Sequence, residues 1–280
     1  MAIYKHYGEL KGRIAGMKNE DYHAAPGISK SHLDEIAGRS PMHYWAKYVD
    51  PNREPEVQTP ALALGQAIHS AILEPDLFSS KFVVGLDLAR RSNADKAAHA
   101  AFAFENKDKT IVDADDYEVC LKIRDVVHNH PIASGLLQGG SAEDAFFADD
   151  PETGALIKCK TDYLSGDGEM VIDVKSTIDA SPFGFGKQAG NFRYDIAPAW
   201  YMDVIDKAIG ARPKNFVFLA FEKEAPWAMG IYYVSEEQID AARRVARQDF
   251  KRILRAKAEN DFPDYGNEVL PLSLPGWIKR

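Results

Sequence analysis

The stretch from Glu143 to Lys175 constrains this chain more than any other. Three apolar-rich runs, "EDAFFADD", "ALIKCKTDYL" and "EMVIDVK", are separated by the turn "DPETG" and the Gly-rich break "SGDG". Runs of that length with turn residues between them read as three consecutive antiparallel strands. Residues two apart on a strand share a face, so Asp173 and Lys175 point the same way. Pairing the last two strands symmetrically about "SGDG" sets Asp162 opposite residue 171 and makes Asp162 a diagonal neighbour of Asp173, with Cβ atoms roughly 7 Å apart. A divalent cation can bridge that gap and remove the repulsion of two carboxylates. A lysine beside it can hold or help deprotonate an attacking water and can offset charge developing on a phosphate oxygen. The plainer alternative pairs Lys175 with Asp173 and leaves Asp162 to cap a turn; a second acid on the same face favours the metal.

Helical patterns surround this centre. "SKSHLDEIA" and "MHYWAKYV" precede a Pro-containing connection at 50–60, and "ALALGQAIHSAIL" follows it. "NADKAAHAAFAFEN" is a helix behind an Asn or Asp cap, and "DADDYEVCLKIRDVVHNH" is amphipathic, with Val119, Ile123, Val126 and Val127 on its apolar side. Beyond the D-x-K strand, "FGFGKQAGNF" at 183–192 reads as a flexible loop. A helix around "APAWYMDVIDKAIG" tolerates Pro198 near its start, strands "NFVFLAF" and "WAMGIYYV" follow, and a long helix begins at Ser235. This order makes a mixed α/β layer fold. With 280 residues, 45% of them hydrophobic, we expect one domain over 1–280: an N-terminal helical segment and connection at 1–60, a catalytic core at 61–260 and a tail at 261–280.

Composition excludes several classes. The two cysteines, Cys120 and Cys159, make neither a metal-type pair nor a disulfide framework, which suits a reducing compartment. "MAIYKHYGEL" lacks the apolar centre of a signal peptide, and "FVFLAF" is too short to span a bilayer, so we expect a cytoplasmic protein without a membrane partner. A net charge of −8 argues against a general attraction to nucleic acid, so DNA contacts must come from local basic groups or bound cations.

Several residues are candidates on more than one reading. Gly65 and His69 are one turn apart, where a glycine admits a neighbouring backbone and an imidazole can ligate a metal; a lone histidine is more often a packed or surface group. Glu143 can reach the same face or stand solvated at a strand end. Lys158 and Lys160 share the face of Asp162 and meet either phosphates or the acids. Ser29 and Ser31 at a helix start, with Arg39 following, suit a terminal 5′-phosphate or simple capping. Arg243, Arg247, Lys251 and Arg255 form a basic stripe on the last helix, for which a solvated face is the commoner explanation.

The ordered set Gly65, His69, Glu143, "KCKTDYL" with Asp162, "VIDVK" with Asp173 and Lys175, and then Tyr201 resembles the PD-(D/E)XK nucleases of the RecB-like branch. "GISKSHLDEIAGRSPMHYW", "GQAIHSAILEPDLF" and "LPGW" are similar to the RecE, or exonuclease VIII, nuclease domain. The resemblance implies a restriction-endonuclease-like core, a mixed central sheet flanked by helices, behind a helical N-terminal region. It implies a Mg²⁺-dependent exonuclease, for which Mn²⁺ can substitute, digesting linear double-stranded DNA 5′ to 3′ as a ring-shaped homo-oligomer beside a single-strand annealing protein of RecT type. By position, His69, Asp162, Asp173 and the Val174 carbonyl would hold metal, Lys175 would stand at the water, and Glu143 and Tyr201 would complete the site. One departure stands out: relatives carry Gln-x-x-x-Tyr after the D-x-K strand, and Ala197 occupies the glutamine position ahead of Tyr201. The same core serves endonucleases and junction resolvases, and a catalytically inactive DNA-binding or partner-binding member is the alternative outside enzymes. Iron–sulfur relatives need four cysteines.

Overall fold

The computed structural model describes residues 3–54, 59–89, 92–266 and 268–273. The "LPGW" block and residues 55–58 of the Pro-containing connection lie outside them. A 3-10 turn at Ile3–Tyr7 leads to β1 (Gly12–Ile14), α1 (Asn19–Ala24), α2 (Lys30–Gly38) and α3 (Pro41–Tyr48). Then come α4 (Pro60–Leu73), α5 (Pro75–Lys81), β2 (Phe82–Val84), α6 (Asn93–Glu105), β3 (Thr110–Val112), α7 (Ala114–Asn129) and α8 (Ala133–Leu136). The expected strand region resolves into β4 (Ser141–Ala142), β5 (Ala145–Asp149), β6 (Leu156–Lys160), β7 (Tyr163–Leu164) and β8 (Met170–Thr177). The chain ends with α9 (Pro182–Asn191), α10 (Ile196–Ile209), β9 (Asn215–Glu222), β10 (Met229–Tyr233) and α11 (Glu236–Glu259). Among the described residues no helix is long and apolar enough to cross a membrane.

Local chemistry sets the helix starts. The Thr59 hydroxyl accepts from the Leu62 amide at 3.2 Å ahead of Pro60, and Ser92 and Asp95 bond reciprocally across the start of α6. Ser181 caps α9 through the Gly184 amide at 3.1 Å. The segment read as a flexible loop at 183–192 is therefore a helix. Its glycines masked a buried face on which Phe185, 3% exposed, packs against the sheet.

The central sheet has the order β10-β9-β8-β7-β4, with β8 and β9 parallel and the other pairs antiparallel. Val171, Ile172 and Val174 are fully buried because both sheet faces are covered. On one face Ile172, Val174, Val217 and Leu219 pack with Ala67, Ile68, Ile123 and Val127 of α4 and α7. On the other, Val171, Phe216 and Phe218 pack with Met202 and Ile205 of α10 and with Phe250 and Ile253 of α11. A second sheet, β1-β5-β6, continues the same long hairpin, for β4–β7 and β5–β6 keep one register through Glu143 and Asp144.

The turn after β7 corrects the expected pairing. Tyr163 pairs with Ile172 and Leu164 with Val171, which puts Asp162 across from Asp173 rather than across from residue 171. Asp167 Oδ1 accepts both the Ser165 hydroxyl and the Glu169 amide, and Gly168 takes φ +75°, so the turn centres one residue later than the symmetric pairing assumed. A slip of two residues keeps every side chain on its face, and the acids still meet.

Candidate metal centre

The register brings three acids into one row across neighbouring strands. Glu143 follows β4 and donates its amide to the Asp162 carbonyl at 3.0 Å, Asp162 precedes β7, and Asp173 lies across from it on β8. Glu143 takes φ +57°, a left-handed conformation that is costly for a residue with a Cβ and sits here where the hairpin passes between two sheets. From α4, His69 brings Nδ1 to 3.6 Å from Asp162 Oδ2. One ligand atom each from His69, Glu143 and Asp162 lie within 4.8 Å of one another, a group able to hold a divalent cation. Asp162 is oriented by the Val174 amide, which donates to its Oδ2 at 2.8 Å.

Asp173 is 3% exposed, and its Oδ1 is ion-paired with the Lys175 ammonium. Burial raises the Asp173 carboxyl above the usual range against the opposing pull of Lys175, and Asp162 pushes it further up. Burial alone would lower the Lys175 ammonium, but Asp173 and Asp162 outweigh it and raise it. The neighbouring carboxylates of Glu143 and Asp162 with the His69 imidazole are a donor set that fits a cation, and the buried Asp173–Lys175 pair stands beside it. Tyr201 stands nearby, its phenol raised by burial first and by Asp173 next.

Residues 29–270 match the profile of the PDDEXK-like domain of unknown function, DUF3799. The chain belongs to this family. A crystal structure of a candidate exonuclease from Eubacterium rectale shares the PDDEXK-like protein's fold, with a TM-score of 0.64 and 16% identity over 94% of this chain and 97% of that one. The crystal structure of SSO0001, at TM-score 0.30 and 11% identity over 68% of this chain and 86% of that one, is too distant to bear on the fold. No curated protein matches the chain.

Other expected site residues of this PDDEXK-like chain fall elsewhere. Gly65 does not admit a neighbouring backbone: a Cβ there would meet nothing within 4 Å. Ser29, Ser31 and Arg39 form no common pocket. Ser29 is 7% exposed and engages His32 Nδ1 at 2.8 Å, while Arg39 sits at the far end of α2 beside Glu35 at 3.6 Å, about 12 Å of helix rise from Ser31. Three of the four cations of the stripe on α11 pair with carboxylates, Arg243 with Asp203, Arg247 with Asp150 and Glu152, and Arg255 with Glu259, while Lys251 is exposed. Lys160 donates to Glu143 at 2.6 Å and to Asn19 at 3.1 Å, so it stands beside the acids and is bound to one.

Lys158 is no phosphate contact. It is 2% exposed, and its Nζ donates to the carbonyls of Tyr22 at 2.7 Å and Ala25 at 2.6 Å. Pro26 has no N–H to continue α1, and the lysine caps the carbonyls left behind. Burial lowers Lys158 from 10.5 to about 8. A folded value below the unfolded one gives a stability term present above about pH 10.5 and lost as pH falls through 8. The stability of the parent relative to Lys158→Met is therefore expected to rise between those values by up to about 3 kcal/mol, read from denaturant midpoints.

Sequence reasoning missed Gln188 and Tyr194. Ala197, four residues ahead of Tyr201, is a buried core methyl, 4% exposed. From the preceding helix α9, Gln188 donates to the Ser176 carbonyl at 3.0 Å and accepts from the Thr177 hydroxyl at 2.7 Å, gripping the strand just past Lys175. Tyr194 sets its ring 5.5 Å from Lys175 Nζ. The available signal was helical spacing, which puts Gln188 on the face of Phe185.

Proposed function

We propose that this PDDEXK-like protein is a divalent-metal-dependent deoxyribonuclease that degrades linear double-stranded DNA from an end, 5′ to 3′, as kin of the RecE nucleases. The observation that carries the reading is the row Glu143, Asp162, Asp173, with His69 above it and Lys175 two residues past the last acid. His69, Glu143, Asp162, Asp173 and the Val174 carbonyl would hold the cation, Mg²⁺ or Mn²⁺. When bound, such an ion supplies Lewis acidity toward a phosphate oxygen and lowers the pKa of water.

The chain's own groups do the rest. Beside Asp173, Lys175 is placed to donate to a phosphate oxygen or to hold, and help deprotonate, the attacking water. The Val174 amide keeps Asp162 facing the row, Lys160 steadies Glu143, and Gln188 fixes the strand end. Residues 1–280 serve as one nuclease domain on this reading. The resemblance to RecE also carries the ring-shaped homo-oligomer and the annealing partner of RecT type.

Linear duplex labelled separately at each end tests the proposal. With Mg²⁺ the 5′ label is expected in mononucleotide products first, with chelator both labels stay, and covalently closed circles persist. Nicking of circles would make the protein an endonuclease of the same fold, and no hydrolysis of any DNA would leave a binding module.

A further inference from the structure

A short aromatic ladder leads out of the site to solvent. The Lys175 ammonium lies 5.5 Å from the Tyr194 ring centroid, and the Phe192 ring stacks on Tyr194 with centroids 5.8 Å apart and planes 23° from parallel. Phe192 is 61% exposed, so its ring is open to solvent beside the stacked Tyr194. Arg193 between them takes φ +52°, and it is held there by bonds to the Leu33 carbonyl at 3.1 Å and to Asp249 at 2.5 Å. The strain and its anchors fix the orientation of the two rings.

Lys30 joins Lys175 at the inner ring of the ladder. Lys30, shared with Asp34, donates to the Phe192 carbonyl at 3.3 Å and lies 5.7 Å from the Tyr194 ring. Lys187 is exposed on the outer face of α9, where a Cβ at Gly186 or Gly190 would meet nothing within 4 Å. No described part of the chain covers this face.

We propose that Phe192 is a stacking platform for an unpaired base of the DNA strand whose backbone passes Lys175. This rests on the nuclease reading above and adds how the strand is gripped. An open flat ring stacked on Tyr194, over which the Lys30 and Lys175 ammonium groups lie, suits a nucleobase with its phosphate: every base offers a π-face, and the charges complement the backbone. Continuity from Phe192 through Tyr194 to Lys175 ties the platform to the reacting end of the substrate.

The test uses a single-stranded oligonucleotide carrying 2-aminopurine, bound by the full chain with Ca²⁺ in place of Mg²⁺. The parent is expected to quench the fluorescence on binding. Phe192→Ala should lose the quenching and bind roughly tenfold more weakly, and Phe192→Trp should keep both. Melting curves check that the variants remain folded. Equal binding and quenching by Phe192→Ala, in a protein whose parent digests linear duplex, would overturn the platform and leave the nuclease standing. A parent that neither binds nor cuts DNA would remove the nuclease reading and the platform with it. A variant that only changes oligomeric state would overturn the platform by assigning Phe192 to a contact between copies.

Discussion

Asp173→Asn and Lys175→Met are each expected to reduce hydrolysis of linear duplex by about 10³-fold or more, measured as single-turnover rates with saturating Mg²⁺. The two differ in what they do to the fold. Burial raises Asp173, so its charged form is disfavoured in the folded chain, and its stabilising share, present below the unfolded value, is lost as pH rises through the folded one. At neutral pH without metal, Asp173→Asn relieves that penalty but leaves Lys175 with Asp162 as its remaining acidic neighbour, so it should melt closer to the parent than Lys175→Met does. Lys175→Met leaves the buried carboxylate without its ion-pair partner and should melt lower. Near-parental hydrolysis by either variant would end the assignment of the site. Equal melting of the two variants would contradict the electrostatic account of it.

Arg193→Ala is expected to destabilise the protein by about 3 kcal/mol in denaturant unfolding. Arg193 joins α2 to α11. It bonds the Leu33 carbonyl and pairs with Asp249, a carboxylate only 5% exposed whose other cation, Arg252, is 3.7 Å away. Truncation leaves that carboxylate poorly compensated and a carbonyl without its donor. The backbone supplies a second check. Because residue 193 sits at φ +52°, Arg193→Gly loses the same ion pair but relieves the left-handed strain, and it should cost about 1 kcal/mol less than the alanine variant. If both variants were equally unstable, the strain at this position would be negligible.

Much of the fold was legible along the chain, and the errors in it are local. Strand runs, helix caps and the α/β order follow from apolar period and capping residues, which are properties of neighbours in sequence. The turn after β7 was misplaced by one residue because the bonds of Asp167 and the φ of Gly168, rather than symmetry, choose its centre. Helix α9 was missed because its glycines advertise a loop, while Phe185 and Gln188 on one face bind it to the sheet.

Local pattern is enough to put Asp173 and Lys175 on one face, since strand alternation needs nothing beyond the strand. It also puts Asp162 on the adjacent strand within reach of them. Long-range packing closes His69 from α4 and Glu143 from the kink in the hairpin on Asp162, and sets Gln188 from α9 against the end of β8. It likewise buries Lys158, on the expected face, under α1, where it is spent on two carbonyls. The physical reason is that periodicity fixes the direction of a side chain relative to its own backbone, whereas what it meets depends on which distant segment packs over it.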